Sequence, residues 1–142
     1  MQKIILAIAF MLFSSGTIAC SCVVSDPSFK ATIRSHEALV WVKTLSREKV
    51  TTGRGEYYKT KVSIVEFWKG DSSFGEYYVM TETEESSSCG GPPLNLEDEL
   101  LVYAWAQEGG LLYTGGCSSY SPVNLESTKN EIKKLNKYFR NT

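Results

Sequence analysis

Residues 57–68 read YYKTKVSIVEFW and form the longest strand-like stretch of the chain. The second half of this stretch places apolar side chains on both faces of the strand, with Val62 and Ile64 on one face and Val65 and Phe67 on the other. Apolar residues on both faces are expected where a strand coils into a barrel. The stretch therefore predicts a β-barrel.

Four further stretches have the composition of strands. They are rich in β-branched and aromatic residues and are bounded by glycine, proline and polar turn residues. They cover residues 37–44 (EALVWVKT), 76–81 (EYYVMT), 99–106 (ELLVYAWA) and 111–114 (LLYT). Between them, the polar residues 46–55 predict a hairpin connection, residues 107–110 predict a turn, and residues 82–93 predict an irregular loop.

Two stretches predict helices, one before and one after the strands. Residues 28–34 follow Asp26, which can cap a helix, and Pro27, which suits its first position. Residues 124–139 place an apolar stripe on one face, formed by Leu125, Thr128, Ile132, Leu135 and Phe139. The predicted fold is mainly β: a five-stranded OB-like Greek-key barrel with a short N-terminal helix and a C-terminal helix.

The first nineteen residues have the composition of a secretory signal peptide. Lys3 supplies a positive charge, residues 4–13 form an apolar run, and Thr17 and Ala19 are small residues at the usual cleavage positions. The apolar run is too short to cross a bilayer as a permanent helix. The predicted organisation is therefore a signal peptide over residues 1–19 and a single domain over residues 20–142, in a secreted or periplasmic protein.

Cleavage after Ala19 makes Cys20 the first residue of the mature chain, where it carries both a thiol and a free α-amino group. The competing interpretation is a lipoprotein signal, in which a lipid anchor is attached to the Cys20 thiol. Such signals usually have leucine three residues before the cysteine, where this chain has Thr17. The sequence favours simple cleavage and leaves the anchor as the alternative.

All four cysteines follow the cleavage site: Cys20, Cys22, Cys89 and Cys117. An even number of cysteines in an oxidising compartment indicates two disulfides. A bond between Cys20 and Cys22 is the least favoured, because one intervening residue leaves a strained ring. Both remaining pairings tie the N-terminus to two distant points of the chain. A lipid on Cys20 would leave one cysteine unpaired.

The mature chain is close to electrical neutrality. The sequence has 15 Lys and Arg against 16 Asp and Glu, and removal of Lys3 with the signal leaves a net charge of −2. Nucleic acid binding requires a basic surface, so this balance argues against a nucleic acid partner. The same balance argues against electrostatic binding to anionic membranes.

Five short motifs together resemble the N-terminal inhibitory domain of the tissue inhibitors of metalloproteinases, which belongs to a wider netrin-like group. In chain order, they are Cys20-Ser21-Cys22-Val23, Phe67-Trp68-Lys69-Gly70, Ser88-Cys89-Gly90, residues 99–104 (ELLVYA), and residues 111–113 (LLY) through Cys117-Ser118. The resemblance runs from Cys20 to about Ser118. Its most specific part is the order and spacing of the four cysteines with a cysteine at the mature terminus.

The resemblance implies an OB-like barrel in which Cys20 pairs with Cys89 and Cys22 with Cys117. It also implies that the chain binds a zinc metalloproteinase, whose catalytic zinc is chelated by the backbone amine and carbonyl of Cys20. The side chain of Ser21 would enter the pocket for the substrate residue after the scissile bond. The other protease contacts that it implies are Cys22, Val23, Val24, Ser87, Ser88 and Cys89. It implies no cofactor.

The chain departs from this family in two respects. Animal members carry a third disulfide in this domain and a second, cysteine-rich domain, and this sequence has neither. Val24 follows Val23 at a position where the family often has proline, which stiffens the chain that leaves the terminus.

Two other classes of function compete with inhibition. An exported OB-fold interaction module or a lipoprotein would keep the barrel without inhibitory activity. An enzyme is not expected, because one histidine cannot complete a Ser-His-Asp set and no HExxH motif is present. The remaining features are expected to have structural roles only. His36 is predicted to be a surface residue, and Trp41, Trp68 and Trp105 are predicted to fill the barrel. Glu82, Glu84 and Glu85 are predicted to belong to a solvated loop.

Overall fold

A computed structural model describes residues 28–87, 89–115 and 120–142 of the chain. The signal peptide and the N-terminal Cys-Ser-Cys segment lie outside the described residues. The described part is mainly β, as predicted. Its elements, in chain order, are α1 (Phe29–Ser35), β1 (Ala38–Thr52), β2 (Gly55–Lys69), β3 (Tyr77–Glu82), β4 (Glu99–Ala104), β5 (Gln107–Glu108), β6 (Leu111–Thr114), β7 (Tyr120–Pro122) and α2 (Glu126–Arg140).

The strands form one sheet in the order β5-β6-β3-β2-β1-β4-β7. All neighbouring strands are antiparallel except β3 and β6, which run parallel. The described sheet is not closed and has seven strands, whereas the sequence predicted five. The two additional strands, β5 and β7, have two and three residues, and are too short to leave a periodic pattern. β5 also falls in the predicted turn over residues 107–110.

The predicted hairpin connection between β1 and β2 is present, but its predicted bounds of 46–55 are wrong, because β1 continues to Thr52 and only Gly53 and Arg54 form the turn. Residues 45–49 are all exposed, and the alternation of buried and exposed side chains that marks a strand is missing there. Pairing with β2 extends the strand, because Arg47 lies opposite Thr60 and Lys49 opposite Tyr58. Long-range pairing of this kind is invisible to a local pattern.

The central strands are buried on both faces, because the sheet carries one core on each side. The strand core lies on one face and consists of Ala38, Val40, Val42, Val62, Tyr77, Val79, Leu94, Leu100, Val102, Ala104 and Leu112. The helix core lies on the other face, between the sheet and the two helices, and consists of Ile33, Leu39, Leu101, Tyr103, Ile132 and Leu135. Successive residues of β1 and β4 alternate between the two cores, as the pleat of a strand requires.

The N-cap of α1 lies two residues after the predicted cap, Asp26. Ser28 is the N-cap, and its hydroxyl accepts a hydrogen bond from the Ala31 amide at 3.2 Å. The prediction that Asp26 caps the helix is therefore wrong. At the other end, Lys69 donates a hydrogen bond to the Ile33 carbonyl at 2.8 Å, which satisfies one of the free carbonyl groups of the last turn.

α2 uses most of its predicted stripe. Thr128, Ile132 and Leu135 are buried against the sheet, and the Trp68 indole donates a hydrogen bond to the Asn136 side chain at 2.9 Å. Leu125 precedes the helix as its N-cap residue and is 49% exposed, so it does not belong to the packed stripe. No helix of the described residues is long and apolar enough to cross a membrane.

The three tryptophans do not fill the strand core, contrary to the prediction. Trp41 and Trp68 pack against the helix core, and Trp105 is 41% exposed. His36 is not a surface residue either, since it is only 6% exposed. Its ring lies 4.5 Å from the Trp105 ring centroid, and its Nδ1 atom lies 2.8 Å from the Thr32 carbonyl oxygen. The fold of α1 back onto the end of β4 buries this histidine.

Candidate functional site

Most of the predicted protease-binding residues lie outside the described part of the chain. This applies to Cys20, Ser21, Cys22, Val23, Val24 and Ser88, and also to Cys117. The structure describes Ser87 and Cys89, which belong to the loop between β3 and β4. This loop, residues 83–98, contains the part of the candidate site that the structure describes.

The first part of the loop folds into a compact turn around Ser87. The amides of Ser86 and Ser87 donate to the Thr83 carbonyl at 3.1 and 3.3 Å. The Cys89 amide donates to the Ser87 hydroxyl at 3.1 Å, and the Gly90 amide donates to the Ser87 carbonyl at 3.0 Å. Serine side chains often close turns on the backbone in this way. The turn fixes the backbone on both sides of Cys89.

Gly90 allows the loop to pass directly against the end of β3. A Cβ atom at Gly90 would lie 2.0 Å from the Thr83 carbonyl oxygen, a distance that no real Cβ contact has. The next residue, Gly91, donates its amide to the Glu82 carbonyl at 3.1 Å and forms an isolated parallel bridge with Thr83. The Gly-Gly pair thus continues the backbone pairing past the end of β3, so the pair has a packing role.

The loop is also braced by the turn between β1 and β2. The Glu56 amide donates to the Ser86 hydroxyl at 3.2 Å, and the Thr83 amide donates to the Glu56 carbonyl at 3.3 Å. Gly55 has a φ of +134°, and a Cβ atom there would lie 2.8 Å from the Ser86 hydroxyl oxygen. The long hairpin therefore supports the Cys89 loop from one side.

Charges on the surface connect the same two segments. Lys49 lies 3.4 Å from both Glu56 and Glu85. The Glu85 backbone amide and the nearby Lys49 ammonium hold the pKa of the Glu85 carboxyl below its ordinary value. Glu84 and Glu85 are exposed, as predicted for a solvated loop. The same prediction is wrong for Glu82, which is the last residue of β3 and is half-buried. Exposed ion pairs of this kind contribute little to stability, and their main effect is on the charge at the surface of the Cys89 loop.

A small cavity of about 100 Å³ lies between this loop and the ends of the strands. Its lining includes Cys89, Gly115 and Tyr120. Gly115 and Tyr120 are the two described residues on either side of the segment that contains Cys117. The loop of Cys89 and both ends of the Cys117 segment therefore meet at one end of the sheet.

Threonine side chains line the protein interior near this cavity. The hydroxyl groups of Thr60, Thr81 and Thr83 are buried and have no hydrogen-bond partner among the described residues, and Thr81 also lines the cavity. The Thr114 hydroxyl donates to the Met80 carbonyl at 3.2 Å. Buried hydroxyl groups are normally hydrogen bonded, so these three groups are exceptions in the interior.

Cys89 is not a free thiol, and it is the one cysteine among the described residues. Because the other three cysteines lie outside those residues, the pairing of the four stays a prediction. The described residues contain no group of three His, Cys, Asp or Glu side chains that could hold a metal ion.

The sequence could have revealed part of this geometry. The run Ser87-Ser88-Cys89-Gly90-Gly91 signals a tight loop through its serine and glycine content. The support from Glu56 and Thr83 joins residues that are far apart in sequence, and no local motif marks it.

No protein-family model matches the chain, and no curated protein matches it.

Proposed function

We propose that the mature chain is an exported inhibitor of a zinc metalloproteinase that binds the catalytic zinc with the amine and carbonyl of Cys20. We further propose that its sheet is an OB-like barrel, as the resemblance implies. The single observation that carries the functional proposal is the cavity at one end of the sheet, where the Cys89 loop meets both ends of the Cys117 segment.

The strand pairing supports the barrel. β1 pairs with both β2 and β4, and β3 is parallel to β6. Directly after β4, the Trp105 amide donates to the Tyr113 carbonyl at 3.0 Å, and the Tyr113 amide donates to the Ala106 carbonyl at 3.1 Å. These bonds join β6 to the residues that directly follow β4, the strand at the other end of the row β6-β3-β2-β1-β4. A five-stranded barrel requires such a connection for closure.

Chain geometry supports two disulfides between the Cys20–Cys22 terminus and the pair Cys89 and Cys117, and the resemblance implies which cysteine pairs with which. The Cα atoms of Cys20 and Cys22 can lie at most about 7 Å apart, since one residue separates them. A disulfide spans about 4.4–6.8 Å between Cα atoms, so the two partner cysteines must lie within roughly 20 Å of each other. Cys117 is two residues from Gly115, which lines the same cavity as Cys89. The described residues are thus compatible with two bonds to one short terminus.

The chemistry of a free N-terminal cysteine fits a zinc ligand. A catalytic zinc keeps one coordination position open for water or substrate. A neutral α-amine can occupy that position, and the carbonyl oxygen of the same residue completes a five-membered chelate ring. The α-amino group has an ordinary pKa of about 7.7–8.0, so zinc can displace its proton near neutral pH. Two disulfides would hold the terminus in place and lower the entropy cost of binding.

The proposed contact surface is the terminus together with the Cys89 loop. The Ser21 side chain enters the protease pocket that receives the substrate residue after the scissile bond. Cys22, Val23 and Val24 lie along the active-site cleft of the protease. Ser87, Ser88 and Cys89 form the second part of this contact surface. Support comes from the compact turn around Ser87, because a loop held by backbone hydrogen bonds loses little entropy when a protease binds it.

The decisive experiment compares the mature protein with a variant that has one alanine before Cys20. The intact mass of the exported protein, before and after reduction, first establishes its start and its number of disulfides. Both proteins are then titrated against a panel of zinc endopeptidases. We expect the extra residue to abolish inhibition, since it removes the amine from the chelating position. Equal inhibition by both proteins would falsify the chelation mechanism.

A matched control carries the same extra alanine after Thr142, at the opposite end of the chain. It should inhibit like the unmodified protein. Far-ultraviolet circular dichroism and thermal unfolding of all three proteins would show that any loss of inhibition does not come from misfolding. A mature protein whose mass shows a lipid on Cys20 contradicts the proposal directly, because its thiol could not form the disulfide.

A further inference from the structure

The two helices carry a positive net charge although the chain as a whole is close to neutral. Residues 28–36 and 126–142, which contain α1 and α2, have seven Lys and Arg against two Glu. Residues 37–125, which contain the sheet and its loops, have seven Lys and Arg against thirteen Asp and Glu. The helical side is therefore at +5 and the rest of the described chain is strongly acidic. The net charge of the mature chain conceals this separation.

Cations of the sheet and cations of the helices differ in their partners. On the sheet, Lys43 lies 2.9 Å from Glu97, and Lys61 pairs with Glu76. On the helices, only Lys129 has an acidic partner among the described residues. The other helical cations are exposed and form no ion pair within the described part, namely Lys30, Arg34, Lys133, Lys134, Lys137 and Arg140. Their charge is available to an external anion.

An apolar groove lies within this basic surface. It has a volume of about 440 Å³ and runs between the start of α1 and the end of α2. The rings of Phe29 and Tyr138 lie in its wall, edge to face, with centroids 6.0 Å apart. Lys30, Lys134 and Lys137 line the same groove. We call the two helices with this groove the basic face.

We propose that the basic face binds the surface of an anionic phospholipid bilayer. Lysine ammonium groups would contact the headgroup phosphates, and the rings of Phe29 and Tyr138 would lie at the boundary between headgroups and acyl chains. Aromatic rings are favoured at that depth, and exposed lysines near the surface each add to the attraction. A soluble polyanion would use the cations alone, whereas a bilayer also accommodates the aromatic groove.

This inference does not rest on protease inhibition, because it uses other residues and another side of the sheet. The test measures co-sedimentation of the purified exported protein with vesicles of phosphatidylcholine alone or of phosphatidylcholine mixed with phosphatidylglycerol. We expect binding to the mixed vesicles only, and we expect it to weaken with added salt as screening shortens the range of the charges.

A double variant identifies the surface involved. Lys134→Gln with Lys137→Gln should lower the partition coefficient on the mixed vesicles about 25-fold, or about fivefold for each charge removed. The matched control is Lys59→Gln with Lys61→Gln, which removes the same charge from the sheet, where Glu48 and Glu76 already pair with these lysines. The control should bind nearly as well as the unmodified protein. Circular dichroism confirms that each variant is folded.

Several results would overturn the proposal. Equal binding to vesicles with and without phosphatidylglycerol would indicate a lipid anchor or purely apolar contact. Equal losses in both double variants would indicate a general charge effect without a defined surface. Displacement of the protein from vesicles by inorganic polyphosphate, together with tight polyphosphate binding in solution, would assign the basic face to a soluble polyanion. Absence of any vesicle binding at low salt would reject it as well.

Discussion

Gly90 lies so close to Thr83 that a Cβ atom on the glycine would be 2.0 Å from the Thr83 carbonyl oxygen. Gly90→Ala must therefore push the Cys89 loop away from the end of β3. We expect a loss of about 1–3 kcal/mol in the free energy of unfolding, as for other overpacked sites. If the loop forms part of the proposed protease contact, the substitution should also weaken inhibition. Chemical denaturation and a protease titration measure the two effects.

Gly91→Ala is the control for this prediction. A Cβ atom at Gly91 would meet no atom within 4 Å, and alanine keeps the amide that donates to Glu82. We expect its unfolding free energy to change by no more than about 0.5 kcal/mol. Equal destabilisation by both substitutions would show that loss of glycine flexibility, and not the contact with Thr83, controls the loop.

Two buried threonines predict opposite effects of the same substitution. The Thr44 hydroxyl donates to the Asn95 carbonyl at 2.7 Å and accepts from the Asp98 amide at 3.0 Å. The Thr60 hydroxyl is equally buried and has no hydrogen-bond partner in the described part of the chain. Thr44→Val should lower the unfolding free energy by about 1–3 kcal/mol, because it leaves partly buried backbone groups of the loop without their partner. Thr60→Val should raise it by about 1 kcal/mol, because it removes an unsatisfied hydroxyl.

Denaturant titrations of both variants test this difference in sign, and each serves as the control for the other. A destabilised Thr60→Val protein would mean that the hydroxyl is hydrogen bonded in solution. A neutral Thr44→Val protein would mean that the loop of Asn95 and Asp98 does not depend on the side chain that joins it to β1.

These contacts show why the sequence predicted the strands better than the site. The five predicted strands all occur, because hydrophobic and β-branched residues mark each of them locally. The extension of β1 to Thr52, the burial of His36 and the exposure of Leu125 are determined by how distant parts of the chain pack against one another. The Cys89 loop was predicted from its composition, but its attachment to Glu56 and Thr83 was not. Net charge likewise conceals the separation of charge between helices and sheet.

The hydrogen bond between Tyr103 and Glu131 should hold α2 on the sheet. The Tyr103 hydroxyl donates to the Glu131 carboxylate at 2.5 Å in a partly buried position. Burial raises the pKa of the Tyr103 phenol well above its ordinary value, and the bond to Glu131 adds to this effect. Tyr103→Phe should lower the unfolding free energy by about 1.5–3 kcal/mol, the usual value for a bond to a charged group. Thermal or denaturant unfolding measures it.

The raised pKa also gives this prediction a pH dependence. In the unfolded chain the phenol ionises near its ordinary pKa of about 10, while in the folded protein it stays protonated to higher pH. The contribution of Tyr103 is therefore complete below about pH 10 and is lost as the pH rises further. The difference between Tyr103→Phe and the unmodified protein should shrink above that pH. Tyr78→Phe, which removes an exposed bond to Glu76, should have little effect at any pH.

Protonation of the N-terminus should control the proposed inhibition. Only the neutral amine of Cys20 can bind zinc, so protons compete with the metal below the amine pKa of about 7.7–8.0. The neutral fraction falls about 40-fold between pH 8 and pH 6, and the apparent affinity for the protease should fall by a similar factor. An inhibitor of the same protease that binds zinc without an amine corrects for the pH dependence of the enzyme itself. An affinity that stays constant over this range after the correction would leave the amine without a role at the zinc.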